Sequence, residues 1–256
     1  MNLLHQHGLS LLLVLSSMVV VSQTANITLG SSLLASKDSS SSWLSPSGEF
    51  AFGFRATNND QNVYLLAVWY DKIPDKTIVW WANGDNPAPE GSKIELTTRG
   101  QFMLTGPKGE EIPLPMSIAD DEISYAALLD TGNFVLVKSS SYVWESFKNP
   151  TDTLLPTRVL EIGGKLTSRQ MDRNYSKGKF QLRIQDDGDV VLQPIAPATD
   201  FAYEPYFNSK TTNNSDRMDS GYRLVLNESG FVNVVRRNGN TLNIANKTQA
   251  PSGDFY

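Results

Sequence analysis

The sequence predicts an all-β protein. From Trp43 onward, apolar residues alternate with polar ones instead of recurring at helical spacing, as at Phe50, Phe52 and Phe54. Alternation with a period of two, bounded by Gly, Pro, Asn and Asp, is typical of half-buried strands. No stretch requires a long helix. Segment 117–129 is the most compatible with one, because its acidic residues could fill a first turn.

A short unit recurs along the chain and supports the same fold class. Each copy has a polar residue, a glycine and then an alternating strand. The copies occupy residues 47–52, 99–104, 131–136, 187–192 and 229–234. Because glycine tolerates positive φ at a hairpin turn, each copy predicts a turn followed directly by a strand. Repeated hairpins of this kind indicate a protein built from similar sheets.

The composition limits both the domain organisation and the function. The chain has 256 residues, of which 40% are hydrophobic and 19% are charged, and its net charge is -5. These values fit one large or two small globular domains, and they argue against disorder, nucleic-acid binding and binding to anionic membranes. All five tryptophans precede the segment 148–152, so the two sides have differently filled cores. We therefore expect one domain over residues 23–148 and a second over residues 149–256.

Residues 1–22 are interpreted as a signal peptide. Their uncharged apolar run is too short to cross a bilayer of roughly 30 Å. Cleavage is expected after Ser22 or, alternatively, after Ala25, and the competing interpretation is a buried N-terminal strand or helix. Both histidines, His5 and His7, lie in this segment, and the chain has no cysteine. The rest of the chain therefore lacks imidazole and thiolate groups, and we expect no catalytic residue, metal site or cofactor.

Five N-x-[S/T] triplets support export from the cell. Their asparagines are Asn26, Asn174, Asn213, Asn227 and Asn246. Together with the export segment they predict a secreted glycoprotein. No second long apolar run follows, so we expect no membrane span in this chain.

Five motifs occur in order and together resemble a known family. They are SPSGEFAFGF at 45–54, TIVWWAN at 77–83, LLDTGNFVL at 128–136, WESF at 144–147 and PTDTLLP at 150–156. The chain is similar to the extracellular region of plant G-type lectin S-domain receptor-like serine/threonine kinases, which carries bulb-type lectin modules. The resemblance covers nearly the whole chain after the signal segment.

The resemblance implies a fold and a location. The fold is a tandem of β-prism II modules, each with three small antiparallel sheets around a pseudo-threefold axis, and the second module is expected to be incomplete at its C-terminal side. Full-length relatives continue into Cys-rich modules, a membrane span and a kinase, for which this sequence has no counterpart. We therefore expect a non-enzymatic extracellular protein, whereas full-length relatives lie at the plasma membrane.

The resemblance also implies where a sugar would bind. Bulb-type lectins hold mannose with Gln-x-Asp-x-Asn-x-Val-x-Tyr, whose alternate residues project from one face of a strand. The best match comprises Gln185, Asp187, Asp189, Val191 and Gln193, with Asp in place of Asn and Gln in place of Tyr. The first module keeps only Asn133 and Val135 of the pattern. Two interpretations stay open, residual mannose binding and an ordinary solvated sheet face.

Two other groups of residues have the chemistry of a possible site. The acidic run Asp120, Asp121 and Glu122 suggests a cation site or a glycosidase carboxylate, but hydrolysis needs two carboxylates in a cleft, so a solvated loop is the favoured interpretation. Trp80 and Trp81 suggest a sugar-stacking platform. Since neighbouring strand residues face opposite sides, we expect Trp80 in the core and Trp81 exposed or in an interface.

Three functional hypotheses follow. The first is a secreted, non-catalytic recognition module for mannose-type glycans in extracellular or defence signalling. The second is a protein-interaction or decoy module with inert sugar pockets, which forms a homodimer or contacts a membrane receptor. The third, a glycoside hydrolase, would require a pair of carboxylates in a cleft.

Overall fold

The computed structural model of the chain describes residues 26–37, 42–57, 60–116 and 122–245. The predicted signal peptide, residues 1–22, the acidic residues Asp120 and Asp121, and the sequon residue Asn246 lie outside these ranges. The described residues form strands joined by turns, with two single-turn 3-10 helices. The all-β fold class is therefore confirmed.

The first half of the chain forms three antiparallel sheets. Their strands are β1 (Ser32–Leu34), β2 (Ser42–Leu44), β3 (Phe50–Thr57), β4 (Asp60–Tyr70), β5 (Ile78–Trp81), β6 (Ala88–Pro89), β7 (Lys93–Leu96), β8 (Phe102–Thr105), β9 (Glu111–Ile112), β10 (Tyr125–Leu128), β11 (Phe134–Lys138) and β12 (Ser141–Glu145). The sheet orders are β1-β7-β8-β9, β2-β3-β4-β5 with β6 beside β4, and β10-β11-β12. An isolated bridge from Ile27 to Ala126 adds the N-terminal chain to the third sheet.

The three sheets meet in one aromatic core, to which each contributes a ring. Phe52 from β3 stacks on Phe134 from β11 with ring centroids 3.9 Å apart and an angle of 8° between the planes. Phe102 from β8 lies 5.5 Å from Phe134 and 6.3 Å from Phe52. Because alternate strand residues share a face, the period-two pattern turns these rings inward. This arrangement is the three-sheet prism that the resemblance implied.

The recurring glycine unit forms the same hairpin turn in both halves. At Gly100, Gly132, Gly188 and Gly230 the backbone N–H donates to the carbonyl oxygen three residues earlier, at 2.9 to 3.0 Å. Each of these glycines has a positive φ, between +76° and +95°. A left-handed backbone is costly for any residue with a Cβ, which explains why glycine occupies this position. The predicted turn-then-strand unit is thus confirmed.

The second half forms two further antiparallel sheets within the described residues. Their strands are β13 (Val159–Glu161), β14 (Lys165–Met171), β15 (Asn174–Ile184), β16 (Val190–Ala196), β17 (Phe201–Ala202), β18 (Phe207–Asn208), β19 (Gly221–Leu226), β20 (Val232–Arg236) and β21 (Thr241–Ala245). The orders are β13-β19-β20-β21 and β14-β15-β16-β17, with β18 beside β16. The core between them is aliphatic and includes Leu160, Ile184, Val190, Leu224 and Val234.

The described residues of the second half supply two of the three sheets that the first half has. That this half is a second, incomplete module of the same kind stays a prediction. Buried apolar residues form one large cluster from Ile27 to Leu155 and another from Leu160 to Val234. The boundary at residues 148 and 149 stays a prediction, because Leu155 packs into the first cluster.

Segment 117–129, the one most compatible with a helix, contains the strand β10 in its described part. Ala126 and Leu128 point into the aromatic core, whereas Ala127 packs on the opposite face of the sheet. Pairing with β11 on one side and the bridge to Ile27 on the other satisfies the backbone of this segment. Pairing with strand partners on both sides overrides a weak local preference for helix.

The two tryptophans of β5 face opposite sides of their sheet, as predicted. Trp80 lies in the aromatic core, where its ring centroid is 5.5 Å from that of Trp144. Trp81 packs on the outer face, and its ring meets Tyr175 from β15 edge-on at 5.0 Å. The second half therefore covers Trp81 with the hairpin of β14 and β15.

Candidate carbohydrate-binding face

The predicted sugar row begins in the turn between β15 and β16. Gln185 opens the turn, where its N–H donates to the Asp189 carbonyl at 2.8 Å and its carbonyl accepts from Gly188. The Gln185 side chain is half-buried, and that of Asp187 is exposed. One oxygen of Asp187 accepts the Asp189 N–H at 3.0 Å. These two side chains are the members of the row that solvent reaches.

Asp189 serves the fold at the base of the same turn. It is buried, and its Oδ1 accepts the backbone N–H groups of Thr211 and Thr212. The hydroxyl of Thr211 in turn donates to the Gly188 carbonyl at 2.8 Å. Both backbone bonds go to the same oxygen, so the Asp189 side chain is committed to the loop at 211–212.

The last two members of the row are buried on β16. Val191 is 0% exposed and pairs with Arg183 of β15, and Gln193 is 3% exposed. The Gln193 amide donates to Gln181 Oε1 at 3.3 Å. The structure thus brings Gln185, Asp187 and Asp189 together at the turn, and Val191 and Gln193 do not form an open row with them.

Asn133 and Val135, the remnants of the row in the first half, are also buried. Asn133 Oδ1 accepts the Ser146 hydroxyl and the Phe147 N–H, both at 3.1 Å, and its Nδ2 donates to Glu145 Oε2 at 3.0 Å. Asn133 therefore joins the turn before β11 to the segment after β12. The motif at 144–147 contains all three of these partners, a link that spacing along the chain did not indicate. Val135 packs with other apolar residues on the outer face of its sheet.

Four of the five sequon asparagines lie in the described residues: Asn26, Asn174, Asn213 and Asn227. Asn26 is exposed and the other three are half-buried. Asn174 Nδ2 donates to Gln170 Oε1 at 2.8 Å, whereas Asn227 engages its Oδ1, which accepts the Phe231 N–H at 2.9 Å. The amide nitrogen of Asn227 is thus compatible with an attached glycan in the folded turn.

A cleft of about 1190 Å³ lies where the two halves meet. Three contacts hold its walls: the Trp81–Tyr175 ring contact, the bond from the Lys177 N–H to Asp85 Oδ1 at 2.7 Å, and the bond from Trp80 Nε1 to the Asn149 carbonyl at 2.7 Å. Sequence reasoning did not find this cleft, because its walls come from segments far apart along the chain. The one indication of the cleft in the sequence was the prediction that Trp81 lies exposed or in an interface.

Among residues 26–37, 42–57, 60–116 and 122–245, no group of His, Cys, Asp and Glu side chains is placed to hold a metal ion. In the same ranges, no helix has the length and apolar character needed to cross a membrane.

Comparison with known proteins identifies the family. A family model described as D-mannose binding lectin matches residues 77–177. Over 241 residues the chain is 42% identical to the G-type lectin S-receptor-like serine/threonine-protein kinase LECRK3 of Oryza sativa subsp. indica, a match that covers 90% of this chain and 28% of that protein. It is 39% identical over 244 residues to RLK1, a kinase of the same description from Arabidopsis thaliana, with 90% and 29% covered.

The chain spans about three tenths of the length of these curated relatives. Among solved structures it is similar to the Japanese Marasmius oreades lectin, with a TM-score of 0.35 and 18% identity over 47% of this chain and 88% of that one. This structural likeness is too low to bear on the fold, which rests on the sheets described above. On the motifs and the extent of sequence identity, the chain belongs to the bulb-type lectin family of plant G-type lectin S-receptor-like kinases and comprises their lectin region.

Proposed function

We propose that the chain is an extracellular, non-catalytic carbohydrate-recognition module for mannose-type glycans, acting in extracellular or defence signalling. The observation that carries the proposal is the match of residues 77–177 to a D-mannose binding lectin model, on a chain whose first half has three sheets around one core. The signal segment 1–22 and the sequons support a secreted glycoprotein. In full-length relatives the same module would lie outside the plasma membrane.

The sugar would bind at the turn between β15 and β16. Gln185 offers an amide that both donates and accepts hydrogen bonds, and Asp187 offers a carboxylate that accepts from sugar hydroxyls. The buried Asp189 would hold both in place through its bonds to the loop at 211–212. Each neutral hydrogen bond contributes about 0.5–1.5 kcal/mol net, so a site with two side-chain ligands is expected to be weak, with a dissociation constant of about a millimolar or higher.

Replacing Gln185 and Asp187 together by alanine should abolish retention on mannose-agarose. Both side chains are at least partly accessible and lie outside the core, so the fold should survive, as checked by circular dichroism. The matched control is the pair Arg99→Ala and Gln101→Ala, in the equivalent turn of the first half, which should leave retention unchanged. Unchanged retention in the Gln185/Asp187 variant would place the sugar elsewhere, and no retention of the wild-type protein would reject mannose as the ligand.

A second function, protein interaction with inert sugar pockets, is favoured by one observation. Four aromatic side chains of the second half are strongly exposed: Phe180 at 53%, Phe201 at 62%, Tyr203 at 53% and Tyr206 at 61%. They form two edge-on pairs, Phe180 with Tyr206 and Phe201 with Tyr203. Exposed apolar patches of this kind often mark interfaces, here with a second copy of the chain or with a membrane receptor.

If this patch forms a homodimer, the double substitution Phe201→Ser and Tyr206→Ser should convert the dimer to a monomer in light scattering coupled to size exclusion. Tyr142→Ser, at a residue of the first half that is 49% exposed, is the matched control and should leave the mass unchanged. A wild-type protein that is monomeric at all accessible concentrations would rule out the homodimer. Pull-down of a receptor ectodomain with the same variants would then test the remaining partner.

A further inference from the structure

The lining of the cleft between the halves has more cationic than acidic residues. Four cationic side chains contribute to its lining, Lys148, Arg158, Lys165 and Lys177, against two acidic ones, Asp85 and Glu161. The whole chain, by contrast, has a net charge of -5. Lys148 and Lys177 are paired with Glu145 and Asp200, so Arg158 and Lys165 are the cations of this lining that form no ion pair within the described residues.

Arg158 is the least compensated of these cations. It is 6% exposed, its Nη2 donates to the Phe147 carbonyl at 3.1 Å, and its guanidinium lies over the Phe147 ring. Its Nη1 is buried and has no hydrogen-bond partner among the described residues. Burial lowers the pKa of Arg158 to about 9, so the side chain is still a cation at neutral pH. An unpaired buried charge of this kind is costly, and a ligand that supplies negative charge would offset the cost.

Glu145 is the carboxylate whose charge favours the charged form of Arg158. It already bonds Lys148 at 2.6 Å and Asn133 at 3.0 Å, so its charge is shared. Lys177 is paired with Asp200. Lys165 is exposed, lines the cleft and forms no ion pair within the described part of the chain, although its charge, after that of Lys177, helps to lower the pKa of Asp200.

The remaining lining suits a sugar. Four aromatic residues contribute to it, of which Phe147 and Tyr175 are half-buried and Trp81 and Trp144 are buried, and the Thr151 hydroxyl is buried without a hydrogen-bond partner in the described residues. Aromatic surface with a few polar groups is typical of small-molecule sites, which enclose about 300–1,000 Å³. A cleft of about 1190 Å³ exceeds that range and therefore has room for more than one sugar ring.

We propose that this cleft binds a short oligosaccharide that carries carboxylates, an oligouronide, with Arg158 supplying countercharge at the wall and Lys165 contacting a carboxylate at the mouth. The acidic residues Asp85 and Glu161 disfavour ligands of high charge density. The site is separate from the turn at Gln185 and Asp187. Neither site therefore depends on the other.

The test is calorimetric titration of the full chain with trigalacturonate and with mannotriose, a neutral saccharide of equal length. Trigalacturonate should bind more tightly than mannotriose, and raising the salt concentration should weaken it, because exposed charges are screened. Lys165→Glu replaces an attraction by a repulsion and should weaken trigalacturonate binding about tenfold. Lys179→Glu, at an exposed lysine of β15 that does not line the cleft, makes the same charge change and should have little effect.

Three results would overturn the inference: no binding of trigalacturonate, equal losses in Lys165→Glu and Lys179→Glu, or equally tight binding of triglutamate, which would reduce the effect to charge alone. The contribution of the charge at Arg158 is tested by two variants. Arg158→Lys keeps the positive charge and should retain trigalacturonate binding better than Arg158→Met, which removes it. The Gln185/Asp187 variant should bind trigalacturonate normally, so a failure here and a failure at the mannose site are separable.

Discussion

Phe52→Ala is expected to lower the free energy of unfolding of the first half by about 3–5 kcal/mol. Phe52 is fully buried and touches rings from both other sheets, Phe134 at 3.9 Å and Phe102 at 6.3 Å. Removing it leaves a cavity at the point where all three sheets meet, and closing that cavity would require the sheets to move together. Urea titration followed by tryptophan fluorescence measures the effect, because all five tryptophans belong to this half.

Phe180→Ala is the control for this substitution. It removes the same atoms from a side chain that is 53% exposed in the second half. Its effect on the tryptophan-detected transition should stay within about 0.5 kcal/mol, the usual range for surface changes. Equal costs for the two variants would mean that the rings do not hold the three sheets together.

Gly188→Ala is expected to destabilise the second half by about 2–5 kcal/mol, combining left-handed backbone strain with a steric clash. Gly188 has a φ of +95°, and an added Cβ would lie 2.2 Å from the Gly221 carbonyl oxygen. That neighbour is backbone of β19 in the other sheet, so it cannot move aside as a flexible side chain would. Hydrogen exchange of the β15 and β16 amides measures the loss, since this half has no tryptophan.

Gly230→Ala separates the backbone strain from the steric clash. Gly230 lies in the equivalent turn with a φ of +83°, and an added Cβ would meet no atom within 4 Å. This variant should cost about 1–2 kcal/mol, the conformational strain alone. If both variants cost the same, the close approach of the two sheets at Gly188 and Gly221 does not contribute to stability.

The hairpin turns could be predicted because their cause is local. A glycine with positive φ and the alternation that follows it can be recognised in a few residues, and the turns at Gly100, Gly132, Gly188 and Gly230 all formed. The opposite facing of Trp80 and Trp81 was predictable for the same reason. The helix preference of segment 117–129 was misleading in its described part, since pairing of β10 with β11 and the bridge from Ala126 to Ile27 outweigh a local signal.

The accessibility of the candidate sugar row could not be predicted from local pattern. Spacing placed Gln185, Asp187, Asp189, Val191 and Gln193 on alternate positions, but it could not show that three of them are buried. The Asp189 side chain is hydrogen-bonded to a loop 22 residues further along the chain, and that of Gln193 to a strand 12 residues earlier. Accessibility depends on these partners, whose positions are set only when the sheets assemble.

Residue order alone therefore specified the strands, their turns and the family, because backbone dihedrals and side-chain alternation act over a few neighbouring positions. Folding in three dimensions decided which polar side chains remain accessible and created the basic cleft at the junction. Both depend on contacts between segments far apart along the chain, such as that from Lys177 to Asp85, 92 residues away. The burial and electrostatic balance at those contacts arise only once the two halves pack together.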